Sequence, residues 1–299
     1  MGKSIVFTEE QKDFMVYNYT VLKRGVNAIG KDLGISGVTV QRHLKKMGVK
    51  IRSFQESMQE CRAYNVNDNY FKTQSHNMAY ILGFIASDGC VSKSTNHITF
   101  DIQEGDEEIL YKIKKELEYE GPIQHYTNNS GHKYSRLKIC SSVIKRDLEH
   151  YGITPKKTFT LQPPLFLDEK YYISYIRGYF DGDGCVYINH QKYSYNWYIC
   201  GARKEVIEWI AEVLLNKYGI MSHLHSSTKI LTQGDPFYSA QIYKKDTIQK
   251  LFEILYVPNS LCLERKYFTM KNFYDIKSTR LYSLSDKEKR YAELIQIQE

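Results

Sequence analysis

Two aspartates stand out as residues able to do chemistry together. Asp88 lies near the end of MAYILGFIASDGCV (Met78–Val91), and Asp183 lies in YISYIRGYFDGDGCVY (Tyr172–Tyr187). When the stretches are aligned on their ends, Gly83 matches Gly178 and Ser87 matches Gly182. Asp88 then matches Asp183, and Gly89 matches Gly184. The two aspartates are 95 residues apart. A period that long, seen twice, predicts two similar half-domains rather than a solenoid. Brought together, two carboxylates repel each other and offer hard oxygen donors to a divalent cation such as Mg²⁺.

The elements that must position the pair follow from the same residues. Each stretch reads as a helix that stops at Asp-Gly, because its apolar residues are too dense and its run too long for a strand. Gly89 and Gly184 fall where a residue just past a helix end would take a positive φ. Gly83 and Ser87 are four apart and share one helix face, as do Gly178 and Gly182. Small residues let backbones approach closely, so the first helix is expected to pack on the second. Each aspartate then sits in a last turn, where the helix dipole disfavours negative charge by about 0.3–1 kcal/mol. A cation would relieve that penalty and the mutual repulsion. Neither run is long enough to cross a bilayer.

The two stretches resemble the signature of the LAGLIDADG homing endonucleases. Ile81-Leu82-Gly83-Phe84-Ile85-Ala86-Ser87-Asp88-Gly89 carries one copy, and Ile176-Arg177-Gly178-Tyr179-Phe180-Asp181-Gly182-Asp183-Gly184 carries the other. The resemblance extends over residues 68 to 275. It implies that Asp88 and Asp183, at the eighth motif position, are the metal-binding catalytic acids. The implied ion is Mg²⁺, and Mn²⁺ meets the same requirement. The implied reaction is a double-strand break in DNA by phosphodiester hydrolysis, with intron homing as its setting. The sixth position is Ala86 in one copy and Asp181 in the other; no catalytic role is attached to it. Family members also carry a basic residue beside each acid. In the first half Lys138 is the candidate; its counterpart is Gln241, with Lys244 nearby as a replacement. The segment Gly152–Thr158 (GITPKKT) resembles a recurring family feature, with Lys157 as a structural or phosphate-contacting residue. Two alternatives stay open on the same fold: a DNA-binding regulator without cleavage, and a maturase acting on intron RNA.

The rest of the chain fills in a fold class of α+β. Residues 1–52 form a small all-α unit. Thr8 caps a first helix, Val26–Leu33 is a second, and after the turn Gly34-Ile35-Ser36 the segment Val38–Met47 is a third. This resembles a helix-turn-helix DNA-binding domain, with Thr39, Gln41, Arg42 and Lys45 on the helix that would enter a major groove. Residues 53–69 read as a linker containing a short polar helix. Two pseudo-symmetric α-β-β-α-β-β-α halves follow, 70–164 and 165–275, packed on the paired motif helices. Residues 276–299 are a charged tail. Alternating segments such as His97–Ile102 give each half an antiparallel sheet with one face free. Side by side, two such faces would make a saddle for double-stranded DNA with a long specific site. Lys93, His97, Lys133, Arg136, Asn189, Lys192, His223 and Lys229 are its candidate DNA contacts.

Composition sets wider bounds. Lys and Arg exceed Asp and Glu by 41 to 34, a basic balance compatible with a nucleic acid partner. The 26 tyrosines suit contacts to sugar-phosphate or bases, or reflect the bias of a genome. None of the six cysteines forms a C-x-x-C pair, which argues against a structural zinc. Met1-Gly2-Lys3-Ser4 opens without an apolar run, so a cytoplasmic location with reduced thiols is expected. The Met1 start and the Gln298-Glu299 end lead to the expectation of a free-standing or intron-encoded chain rather than an intein. A monomer is expected because both motifs are in one chain.

Overall fold

The structure, a computed structural model, describes residues 6–53, 56–57, 63–189, 194–227 and 237–275. The chain divides into two compact units, Met1–Asn65 and Val66–Glu299, and the division falls within the expected linker. The short polar helix expected over residues 55–60 and the tail over 276–299 lie outside the described residues, wholly or in large part.

The first unit is helical. Helix α1 (Glu9–Thr20) starts from a capping box: Thr8 Oγ1 accepts from Gln11 N–H at 3.3 Å, and Gln11 Oε1 accepts from Thr8 N–H at 3.1 Å. Helix α2 (Val26–Leu33) ends at Gly34, and α3 (Gly37–Lys46) begins from Ser36, whose Oγ accepts from Thr39 N–H at 3.2 Å. Met15, Tyr19, Ile29, Val40 and Leu44 close the small core.

The second unit holds the duplication. Its first half runs through α4 (His76–Ser87), β1 (Gly89–Val91), β2 (His97–Gln103), α5 (Glu108–Glu116), β3 (Ile123–Thr127), β4 (Lys133–Cys140) and α6 (Ser142–His150). A single turn, α7 (Lys157–Thr160), follows. The second half runs through α8 (Tyr172–Asp183), β5 (Gly184–Asn189), β6 (Ser194–Gly201), α9 (Lys204–Tyr218), β7 (His223–Ser227), β8 (Phe237–Ile242) and α10 (Lys245–Leu255). It ends on α11 (Glu264–Asp275). The sheets have the orders β1-β2-β4-β3 and β5-β6-β8-β7, antiparallel at every pairing.

Helices α4 and α8 form the axis of this unit. Residues Met78–Ser87 of α4 are buried, as are nearly all of α8 from Tyr172 to Asp181, so both helices are enclosed on every side rather than along one stripe. A Cβ on Gly83 would lie 2.0 Å from Tyr175 O, and one on Gly178 would lie 2.0 Å from Tyr80 O. The expected contact through small residues is therefore present, and it is symmetric. The expected positive φ at Gly89 and Gly184 is not. Neither residue is in the left-handed region; Gly184 has φ −95° and ψ 166°, and both residues begin strands. Glycine is needed there for space. A Cβ on Gly89 would lie 2.7 Å from Ile85 Cα, and one on Gly184 would lie 2.1 Å from Phe180 Cδ2. The chain thus leaves each helix directly into the first strand of its sheet. No helix among the described residues is long and apolar enough to cross a membrane.

Candidate active site

The geometry of the two helix ends begins with their contact. A Cβ on Gly182 would lie 1.9 Å from Ser87 Oγ and 3.3 Å from Asp88 Cγ, so the last turns of α4 and α8 meet beside the acids. Asp88 is the residue that ends α4, and Asp183 is the last residue of α8. Both keep an accessible edge to solvent while protein crowds their other sides. That crowding raises the pKa of the Asp88 carboxyl, against the opposing charges of Lys266 and Lys157. It pushes Asp183 up to about 6, and the nearby charge of Asp88 adds to the effect. Burial is the first cause at both acids, and the charges of Lys157 and Lys266 offset it in part.

Two buried lysines flank the pair. Lys157 Nζ donates to Ser87 O, a carbonyl in the last turn of α4. Lys266 Nζ donates to three carbonyls at the end of α8: Phe180 O at 2.7 Å, Asp181 O at 2.7 Å and Gly182 O at 3.0 Å. Each lysine therefore caps one helix where the dipole is negative. Burial lowers the pKa of both, and Asp88 and Asp183 act in the opposite direction on both. The sulfur of Cys200 donates to Asp183 O at 2.9 Å, and burial with the Asp183 charge pushes its thiol up to about 12.

The free faces of the sheets carry a different set of groups. In the first sheet the alternation buries Ile98, Phe100, Leu137 and Ile139, which leaves His97, Thr99, Asp101, Arg136 and Lys138 on the outer face. Arg136 is held there by Asp101, with Nε–H donating at 3.1 Å, and its guanidinium lies 4.6 Å over the ring of Tyr126. Burial and the Lys138 charge lower the pKa of His97, whose Nδ1 lies 2.9 Å from Thr95 Oγ1. In the second sheet Trp197, Ile199 and Ala240 are buried in the core, Asn196, Tyr198 and Gln241 face out, and Ser239 is buried beneath Gln241. Their amides and hydroxyls are linked. Asn196 Nδ2 donates to Gln241 Oε1 at 3.1 Å, Gln241 Nε2 to Ser239 Oγ at 2.8 Å and Tyr243 OH to Gln241 Oε1 at 2.8 Å.

The expected site residues are distributed as follows. Asp88 and Asp183 come together. Lys138 stands exposed on β4, paired in register with Thr99, and Gln241 holds the equivalent place on β8 opposite Tyr198. The cations that act on both acids are Lys157 and Lys266. Lys266 was absent from the expected set. Its signal is faint: Lys157 follows the helix-ending Tyr151 by six residues, whereas Lys266 follows the equivalent Tyr256 by ten. Lys93 is exposed beyond β1, Lys133 pairs with Glu104 at 3.6 Å, and His223 is exposed on β7. Asn189 ends β5, and Lys192 and Lys229 lie outside the described residues. In the first unit Gln41, Arg42 and Lys45 are exposed on α3, while Thr39 is half-buried with its hydroxyl 2.9 Å from Ser36 Oγ.

Comparison with known proteins agrees with this architecture. Residues 75–151 and 170–256 match the family described as LAGLIDADG-like domain, one match in each half and together more than half of the chain. An uncharacterized protein of Methanocaldococcus jannaschii is 26% identical over 192 residues, which is 60% of this chain and 67% of that protein. The ribonucleoside-diphosphate reductase NrdEB subunit alpha of Bacillus subtilis is 24% identical over 174 residues. That match covers 54% of this chain and only 16% of that protein. Among solved structures, the meganuclease I-SmaMI bound to uncleavable DNA aligns with 73% of this chain and 97% of its own, at 11% identity and a TM-score of 0.49. Full-length DUF199/WhiA from Thermatoga maritima aligns with 83% and 74%, at 14% identity and a TM-score of 0.44. Since the family match spans both halves and most of the elements that build the paired helix ends, the chain belongs to the LAGLIDADG-like domain family.

Proposed function

We propose that this protein makes a double-strand break at a long, specific DNA site by metal-dependent phosphodiester hydrolysis, as a homing endonuclease with Mg²⁺ as its ion. The observation that carries the reading is the meeting of Asp88 and Asp183 at two helix ends, between Lys157 and Lys266. The donor set fits a hard divalent cation. Both acids have raised pKa values through burial, and Asp183 also through Asp88, and a cation would remove that cost. Among the described residues no group of three or more His, Cys, Asp or Glu converges. Two carboxylates would then leave the remaining positions to water and phosphate oxygens, the usual manner of holding Mg²⁺ at phosphates; Mn²⁺ meets the same requirement. A divalent ion held by Asp88 and Asp183 would polarise the scissile phosphate and acidify the attacking water.

The chain's own groups account for the other tasks. Lys157 and Lys266 supply positive charge where a phosphorane-like transition state gathers negative charge. The outer sheet faces orient the duplex through side chains of both sheets. In the first unit, α3 offers Gln41, Arg42 and Lys45 to a second stretch of DNA as a helix-turn-helix reader, which would lengthen the site.

The test uses a plasmid library carrying random inserts. Linear product is expected with Mg²⁺ and none with EDTA. Asp88→Asn and Asp183→Asn should each reduce cutting by on the order of 10²–10³ while duplex binding persists. Tight binding by the wild type without cutting in Mg²⁺ or Mn²⁺ would move the reading to a DNA-binding regulator or an intron RNA maturase.

A further inference from the structure

The two halves hold their lysines by different means. In α8, Arg177 and Asp181 are four apart and share one face, and both are fully buried. Arg177 donates from Nε to Leu261 O at 2.8 Å and from Nη1 to Leu255 O at 2.7 Å. Asp181 accepts from Tyr256 OH at 3.0 Å, from Leu263 N–H at 2.8 Å and from Tyr80 OH at 2.8 Å. These two side chains therefore grip the connection from α10 to α11 at four points, and that connection delivers Lys266. The equivalent positions in α4 are Leu82 and Ala86, which are buried and have no hydrogen-bonding side chain. Lys157 is thus delivered without such a grip.

Each terminal helix also docks on the opposite half. Arg265 of α11 forms a two-pronged pair with Asp106, at 2.9 and 2.8 Å, and Glu264 pairs with Lys112 at 3.0 Å. Glu264 N–H donates to Glu108 Oε1 at 2.9 Å. At the other end, Phe159 O of α7 accepts from Arg203 Nη1 at 3.1 Å.

We infer that Arg177 and Asp181 are positioning residues for Lys266 alone, so that hydrolysis of one DNA strand depends on them and hydrolysis of the other does not. Lys266 is bonded to the end of α8, the helix of Asp183, and Lys157 to the end of α4, the helix of Asp88. The two centres are unequal by construction. All three N–H groups of Lys266 are engaged with carbonyls, whereas among the described residues Lys157 has one carbonyl partner. This rests on the hydrolytic reading above.

The test resolves the strands. A duplex selected from a random library by binding to the full chain in EDTA is labelled with a different fluorophore on each strand and cut in Mg²⁺. Asp181→Ala and Lys266→Met should slow the same strand by on the order of a hundredfold relative to the other. Lys157→Met should slow the opposite strand. Asp181→Asn, which keeps an acceptor for Leu263 N–H, should show the same bias to a smaller degree if the alanine variant does not fold. A merely structural role would slow both strands by one factor, so equal slowing by Asp181→Ala and Asp181→Asn overturns the inference. So does slowing of the strand that Lys157→Met affects. Absence of cutting on either strand by the wild type overturns the hydrolytic reading, and the inference with it.

Discussion

The first and second halves of the larger unit share an element order, a strand order and a helix contact, yet equivalent positions carry different chemistry. Backbone contact is what they have in common: Gly83 against Tyr175 O and Gly178 against Tyr80 O, at the same 2.0 Å for a hypothetical Cβ. Side chains that do not take part in that contact have diverged. Leu82 and Ala86 face Arg177 and Asp181 in the alignment, and the outer strand pair Thr99–Lys138 corresponds to Tyr198–Gln241. At Gly83 and Gly178 the axis leaves no room for a side chain on either helix, while positions around it differ between the halves.

The largest expected effect tests the shared part. Gly83→Leu or Gly178→Leu would drive a side chain into a carbonyl of the facing helix. Each should cost more than about 4 kcal/mol and leave the larger unit unable to fold, as measured by urea denaturation. The two variants should fail alike. A well-folded Gly83→Leu beside an unfolded Gly178→Leu would break the symmetry of the axis.

A smaller effect probes the divergent pair within α8. Arg177→Leu alone leaves Leu255 O and Leu261 O without their donor, and Asp181→Ala alone strands Tyr80 OH, Tyr256 OH and Leu263 N–H. Each should cost about 3–5 kcal/mol. The double variant recreates the apolar pair seen at Leu82 and Ala86. It should cost clearly less than the sum, with a coupling of at least about 1 kcal/mol in a double-mutant cycle. Strict additivity would mean that the two residues grip the α10–α11 connection independently.

The axis is legible in the sequence because it depends on small residues at a spacing of four inside an apolar run, and the run is duplicated. The strands follow from alternation, as in His97–Ile102, whereas their order within each sheet depends on long-range pairing that alternation does not encode. Lys266 is less legible for a physical reason. The connection from Tyr256 to Lys266 is four residues longer than its counterpart, and it passes through Asn259 at a φ of 61°. The buried face of α11 carries Lys266 with Met270 and Phe273, so its apolar stripe is interrupted by a lysine that turns to the carbonyls ending α8. Gly89 and Gly184 show another limit. Their identity is readable, but not its cause, because sequence alone does not separate a positive φ from a lack of room.

The smallest effects separate the two outer faces, on the reading that both contact DNA. The first sheet presents charge at Lys138, while Arg136 is already matched to Asp101. Lys138→Gln should therefore weaken binding about equally for all sequences and reduce the slope of log K against log salt by about 1. The second sheet presents an amide network at Asn196 and Gln241, held by Tyr243 and Ser239. With its oxygen already accepting twice, Gln241 offers its second Nε2 N–H to an acceptor on a base edge. Gln241→Ala should leave the salt slope unchanged and relax discrimination at one base pair by about 1–3 kcal/mol, as read from selection on a degenerate library. If both variants changed the salt slope, the faces would be equivalent backbone contacts. The difference between charged and neutral groups would then carry no sequence information.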